Sequence, residues 1–500
     1  MGSTEVATTA GRLAGETIPA GFVFKGIPYA APPFGANRFR PPQLPEPWHG
    51  VREAKHFGPT CPQRSLDPSP ERTTHFNGNG IGEDCLTLNV WMPDPGGARL
   101  PVMVWIHGGG YMTGSGSAPV HDGATWARDG VVYVSINYRL GVEGFLYLGG
   151  DTANLGLLDQ LAALRWVQDN IAAFGGDPDN VTIFGQSGGG VSVMHLLAMP
   201  GARGLFRRAI AQSGSTRCPA TVPLAERIAA RVAELLGVER TVDAFRDLSL
   251  DRTLDATVAM AFEYMVPVFW GRESFLISPF RAVVDGEVLP DEVIPQIAAG
   301  SAAGVDVMAG STSDECTFAM QPLGLLDNLE PTWLAAALDA FGVSLADLDV
   351  YRKSSRPDAD DTELVQAAWT DWAFRAPTIE LLDTVAARGD RAFGYEFAWP
   401  SPLSQLGATH ALEIPFVNDL LGPFAAAMPA GENPIGAAPP QRLADTMHRA
   451  WIAFATTGDP GWPTYDPESR PHMLFDTESA VRDDWARDSP FVPATPIWRK

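Results

Sequence analysis

Lysine is nearly missing from this chain. Lys25, Lys55, Lys353 and Lys500 are four among 36 basic residues, against 59 acidic ones, and the formal charge is −23. A field of that sign repels polyanions, so neither nucleic acid nor an anionic membrane surface is expected as a partner. No apolar run approaches the roughly 18 residues of a spanning helix. Met1 to Gly15 carries no basic head and no apolar stretch, and residue 6 is Val6 rather than Ser or Thr. No signal peptide or myristoyl site is therefore predicted, and a cytoplasmic protein is expected. There is no H-E-x-x-H and no Cys-x-x-Cys, so no metal is expected. There is no Gly-x-x-x-x-Gly-Lys and no Gly-x-Gly-x-x-Gly, so no phosphate or dinucleotide cofactor is expected either. Internal repeats, low-complexity blocks and convincing linkers are also missing.

Hydrophobic residues make up 45% and charged residues 19%, enough apolar material for a large core and against global disorder. The 50 Gly and 43 Pro follow no three-residue period and read as many turns on a globular body. Length alone suggests about three domains at roughly 150 residues each, yet α/β domains run larger. One domain over 1–500, with insertions such as a surface loop at Ala425–Pro440, is the preferred reading.

The first ninety residues are Pro-rich and predict peripheral β-structure and loops. Short apolar runs follow: Leu100–Ile106, Val131–Ile136, Val181–Phe184, Ala209–Ala211, Val305–Ala309 and Ala392–Ala398. Continuous apolarity suits strands buried on both faces of a parallel sheet. Amphipathic helices are predicted between them, at Leu157–Val167, 222–236 and Arg442–Thr456. Strand and helix in alternation predict an α/β fold with a mostly parallel sheet.

The run Val181 to Phe184 leads straight into Gly185-Gln186-Ser187-Gly188-Gly189, and an apolar helical pattern follows. This is the setting of a nucleophile elbow, a serine on a tight strand-to-helix turn. The helix start behind it offers N–H groups to a developing oxyanion. His107-Gly108-Gly109-Gly110 follows the strand Leu100–Ile106. Bare glycines let backbone N–H groups approach a ligand, as the HGGG loop of lipase-like hydrolases does.

A serine nucleophile needs a base, and in this chain order the base comes last. That leaves His410, His448 and His472. His448 falls in an amphipathic helix, as a surface or packing residue. His472 follows Pro471 near the chain end. His410 lies in a loop soon after the strand at 392–398 and is preferred. The acid should follow the strand at 305–309, where Asp314 and Glu315 are adjacent and the pattern does not choose between them. Glu413, three residues past His410, is a local rival.

The chain resembles the type-B carboxylesterase family, the cholinesterase-like branch of the α/β-hydrolases. The likeness runs over nearly the whole length. It rests on Phe24 to Ala30, Arg38 to Pro42, Glu83 to Val90, Asn137-Tyr138-Arg139, Leu157 to Gln160, Ala211 to Ser215 and His410 to Phe416, in the family's order. The resemblance implies an α/β-hydrolase fold. It implies Ser187 as nucleophile, Glu315 as acid, His410 as base, and Gly109, Gly110 and Gly188 as oxyanion donors. It also implies buried ion pairs Arg38–Glu83 and Arg139–Asp159, and a Cys61–Cys85 bridge.

Some positions depart from the family. Gln186 stands where cholinesterases carry Glu, Gly188 where Ala is common, and Cys316 where Gly usually follows the acid. No Trp lies between Cys61 and Cys85, so the choline-binding aromatic is missing, and neutral esters are expected over cationic ones. The expected function is a metal-free serine carboxylesterase acting on small-molecule esters through an acyl-enzyme. The alternative is the same triad acting on carbamates or aryl amides. A non-catalytic binding protein is a remote alternative, since all three triad residues are present. Phe262, Tyr264, Phe269, Trp270 and Phe275 are candidates for an apolar pocket.

Overall fold

A computed structural model describes residues 4–66, 78, 80–93, 99–276, 278–429, 431–486 and 488–492. An eleven-stranded sheet runs through the molecule. Its strands in chain order are β1 (Glu16–Ile18), β2 (Gly21–Pro28), β3 (Thr87–Met92), β4 (Leu100–Ile106), β5 (Val132–Ile136) and β6 (Gly176–Gln186). β7 (Arg208–Gln212), β8 (Asp306–Thr312), β9 (Ala392–Phe397), β10 (His472–Phe475) and β11 (Ala480–Arg482) complete it. Spatial order is β11-β10-β9-β8-β7-β6-β4-β5-β3-β2-β1. Pairing is parallel from β5 through β10. It is antiparallel at both flanks, β10–β11 on one side and β5–β3–β2–β1 on the other. This is the α/β-hydrolase arrangement.

The apolar runs behave as doubly buried strands. On β4, Val102, Val104 and Ile106 enter one core, while Met103 and Trp105 enter the other. Strand alternation thus feeds two apolar layers, which is why no polar–apolar alternation marks these runs. Among the helices are α1 (Leu155–Asn170), α2 (Gly188–Ala198), α3 (Val222–Leu236), α4 (Leu250–Tyr264), α5 (Asp361–Thr370), α6 (Ala376–Ala387) and α7 (Gln441–Thr457). Between β8 and α6 lies a mostly helical insertion with its own small core, including Met320, Phe341, Trp369 and Trp372.

Three expectations need correction. Arg38 does not pair with Glu83, which is exposed. It donates to both oxygens of Glu143, at 2.9 and 2.5 Å, and to the carbonyls of Arg246 and Leu248. Glu143 wins because the short helix Gly141–Phe145 buries it, and Thr253 supplies a further donor. Cys61 and Cys85 are free buried thiols, with Cys61 Sγ facing the Cys85 carbonyl at 3.8 Å. The 425–440 segment is not all loop, since Leu421–Ala427 is helical; Ala430 lies outside the described residues. Arg139 and Asp159 do form the expected pair. Its two side-chain bonds are both 2.7 Å, and both groups are buried. Among the described residues, no helix is long and apolar enough to cross a membrane.

Candidate active site

Ser187 occupies the turn between β6 and α2 with φ 57° and ψ −124°, a region a side chain rarely adopts. Its N–H donates to the Gln212 carbonyl at the end of β7, 3.0 Å away. The glycines on either side are there for space. A Cβ on Gly189 would sit 1.9 Å from the Ile106 carbonyl, and one on Gly185 2.5 Å from the same oxygen. The turn can press against β4 only because both positions lack side chains.

The Gly108–Gly110 loop leaves the end of β4 and faces this turn. Gly109 has φ 104°, and a Cβ there would strike the Thr113 carbonyl at 2.2 Å. The Cβ position of Gly188 is 3.2 Å from the Gly110 nitrogen, so the two backbones nearly touch. The N–H groups of Gly109, Gly110 and Gly188 have no acceptor within the described protein. Gly188 also opens α2, where helix geometry leaves N–H groups unpaired.

Glu315 and His410 meet from two different loops. His410 Nδ1 lies 2.5 Å from Glu315 Oε2, both side chains being almost wholly buried. The other Glu315 oxygen accepts the Thr312 N–H at 2.8 Å. With its proton on Nδ1, the imidazole presents a lone pair on Nε2. The ring is clamped by Phe318, stacked at 4.5 Å, and by Phe374 at 5.2 Å. Ser187, Gly108–Gly110, Gly188 and His410 line one cavity of about 450 Å³. Ser187 Oγ is not hydrogen-bonded to His410. The His410 Nε2 lone pair instead accepts from the Gln186 side-chain amide at 3.2 Å. Such contacts often form fully only with substrate bound.

The rival residues take other posts. Asp314 turns away to Arg356 and Gln366, and those contacts hold its carboxyl below the ordinary range despite burial. Glu413 is buried, accepts from Gln212 Nε2 at 3.3 Å, and has an Oε2 with no partner. Burial first, then the nearby Glu315 charge, push its carboxyl up to about 7. His448 is a packing residue, bonded to the Val417 carbonyl and set against Trp126. His472 stacks on Trp485. His107 stacks on Tyr138, and burial brings its imidazole down to about 4, so it stays neutral beside the glycine loop. Among the described residues, no cluster of three His, Cys, Asp or Glu could hold a metal ion.

A sequence model described as the carboxylesterase family matches residues 2–489. The chain belongs to the carboxylesterase family. It is a serine-type carboxylic ester hydrolase with the α/β-hydrolase fold. This carboxylesterase is 38% identical to the para-nitrobenzyl esterase of Bacillus subtilis (strain 168), with 96% of each chain covered. It is 32% identical to the acetylcholinesterase of Bungarus fasciatus, over 95% of this chain and 83% of that one. A crystal structure of a Geobacillus stearothermophilus carboxylesterase superimposes with a TM-score of 0.84 at 37% identity, covering 97% of this chain and 99% of that one.

The pocket of the carboxylesterase differs from the one its aromatics suggest. Only Phe275 of the five candidates lines the cavity. Phe262 and Phe269 are exposed, and Tyr264 and Trp270 are packed in the core. The walls missed in the sequence are Phe318 and Phe374, from the helical insertion, where no spacing separates a pocket wall from a core position.

Proposed function

We propose that Ser187, His410 and Glu315 are the triad of this carboxylesterase, and that Gly109, Gly110 and Gly188 form its oxyanion hole. The observation that carries the reading is the Glu315–His410 contact, opening onto the cavity that Ser187 also lines. The scissile carbonyl enters that cavity, and His410 Nε2 exchanges the Gln186 amide for the Ser187 hydroxyl. His410 takes the Ser187 proton as Oγ attacks the carbonyl carbon. The oxygen becomes an anion and accepts from the three glycine N–H groups. Loss of one such donor typically lowers the rate by about 10²–10³.

The imidazolium then protonates the leaving alkoxide, and an acyl-serine remains. Water, deprotonated by His410, attacks the acyl carbon and releases the acid. Throughout, the Glu315 carboxylate holds Nδ1–H and steadies the imidazolium; it does not itself take the proton. Small carboxylic esters without positive charge are the proposed substrates, because no carboxylate lines the described cavity to receive a cation.

Hydrolysis of 4-nitrophenyl esters from acetate to laurate, by the wild type and by Ser187→Ala, tests the assignment. The wild type is expected to turn over the shorter esters and the variant to lose about 10³-fold or more. Equal rates in the two proteins would remove Ser187 from the mechanism.

A further inference from the structure

His107 opens the His-Gly-Gly-Gly run, yet it belongs neither to the triad nor to the three oxyanion donors. It is 1% exposed. Its ring stacks on Tyr138, with centroids 4.3 Å apart and planes 17° from parallel. Tyr138 donates its hydroxyl to the His107 carbonyl at 2.7 Å, which fixes the pair. Burial keeps the imidazole neutral, so one ring nitrogen carries a proton and the other does not. Nδ1 lies 2.8 Å from the Gly108 carbonyl oxygen. A carbonyl oxygen only accepts, so the proton sits on Nδ1 and His107 donates to Gly108.

That bond sets a direction. A trans peptide is planar, so the Gly108 C=O and the Gly109 N–H point opposite ways. Glycine lets such a peptide turn at little steric cost, and the direction of the N–H then needs an outside hold. The other two oxyanion donors are held by main chain. The peptide carrying the Gly110 N–H is held at its carbonyl, that of Gly109, by the Met112 and Thr113 N–H groups at 3.0 and 3.1 Å. The Gly188 N–H is set by the first turn of α2. The Gly108 carbonyl has no backbone donor among the described residues, and the His107 ring takes that place. The adjoining turn leaves room for this bond. A Cβ on Gly114 would lie 2.4 Å from both the Gly108 oxygen and His107 Nδ1. Gln63 keeps Gly114 there, accepting its N–H and donating to its carbonyl, each at 2.8 Å.

We propose that His107 is a positioning residue of the reaction: its Nδ1–H fixes the Gly108–Gly109 peptide so that the Gly109 N–H meets the oxyanion. The proposal rests on the serine esterase reading above and deepens it. His107 is not among the residues that line the cavity, so it acts through Gly109 rather than on the substrate. Its loss therefore weakens the transition state and leaves ground-state binding in place.

Two variants separate this role from packing. His107→Phe keeps a ring against Tyr138 and removes the donor. His107→Asn gives up the ring and returns an N–H donor near the Nδ1 position. With 4-nitrophenyl butyrate, His107→Phe is expected to lose about 10²-fold in kcat with KM within about threefold, because acylation and deacylation pass through the same oxyanion and slow together. His107→Asn is expected to stay within about fivefold of the wild-type kcat. A packing role gives the opposite order. A loss above about fivefold in His107→Asn, or a kcat within about fivefold of wild type in His107→Phe, overturns the proposal. Inhibition by hexyl trifluoromethyl ketone, which adds to the serine as a tetrahedral oxyanion, should weaken in His107→Phe by about the factor lost in kcat, while inhibition by hexyl methyl ketone stays unchanged. Equal weakening of both ketones overturns the proposal too. Should His107→Phe not fold, the His107→Asn result decides alone by the same fivefold limit. A wild type that turns over no ester sinks the esterase reading and this proposal with it, whereas an active wild type matched by both variants sinks this proposal alone.

Discussion

The two halves of the proposed active site are built by opposite means. The Ser187 and Gly108–Gly110 half is made of backbone: glycines in contact, a strained serine, and N–H groups without acceptors. The Glu315 and His410 half is made of side chains, with two hydrogen bonds on the carboxylate and two phenyl rings on the imidazole. In the first half, geometry is enforced by what cannot fit. In the second, it is enforced by what is bonded and stacked. The backbone half should therefore fail through folding, and the side-chain half through chemistry.

Glu315→Gln is expected to give the largest effect. It keeps the shape but presents an amide to His410 Nδ1 and favours the wrong tautomer, for about a 10⁴-fold loss in kcat with little change in unfolding midpoint. A comparable loss of stability would break the contrast. Gly189→Ala should do the reverse. Its Cβ would sit 1.9 Å from the Ile106 carbonyl, on main chain that cannot turn aside. A loss of about 3 kcal/mol or more is expected in denaturant unfolding, with activity falling as folded enzyme falls.

Glu413→Gln should show the smallest effect, and it sharpens the comparison. Glu413 is a second buried carboxylate beside His410, with one oxygen unpartnered and its carboxyl raised to about 7. The folded chain therefore holds a proton between about pH 4.5 and 7 that the unfolded chain has released. Wild-type stability should fall as pH rises through that window and level off above it. Glutamine removes this slope while still accepting from Gln212. The variant should thus gain on the order of 1–3 kcal/mol relative to wild type on going from pH 5 to pH 8. Parallel unfolding midpoints across that range would refute the account.

The backbone half was legible in the sequence because its constraints are local. Gly-x-Ser-x-Gly after an apolar run, and His-Gly-Gly-Gly after another, state their own geometry. The parallel strands were legible for the same reason, since burial on both faces leaves an unbroken apolar run. The side-chain half was less so. Asp314 and Glu315 look alike in sequence, and only the bond to His410 separates them from the bond to Arg356. The partner of Arg38 carries no local signal, because Glu143 is 105 residues away and arrives on a five-residue helix. Thr87–Met92 lies inside the sheet, but its Thr and Asn break the apolar run that announces the other buried strands. Phe318 and Phe374 carry no signal at all, because walls and cores use the same residues.

Gln212 ties the serine turn to two distant parts of the chain. Its carbonyl holds the Ser187 N–H, while its side chain takes the Trp451 indole N–H at 3.1 Å and reaches Glu413. The first of these links spans 25 residues of chain and the last two span 239 and 201. During synthesis and folding, β6 and β7 can pair early, but Trp451 and Glu413 arrive only after nine-tenths and four-fifths of the chain. Loop closures of that length come late in assembly. Catalytic competence then waits on that docking: a molecule with its sheet formed but α7 undocked has Ser187 held by the Gln212 carbonyl, yet lacks the Trp451 bond to the Gln212 side chain.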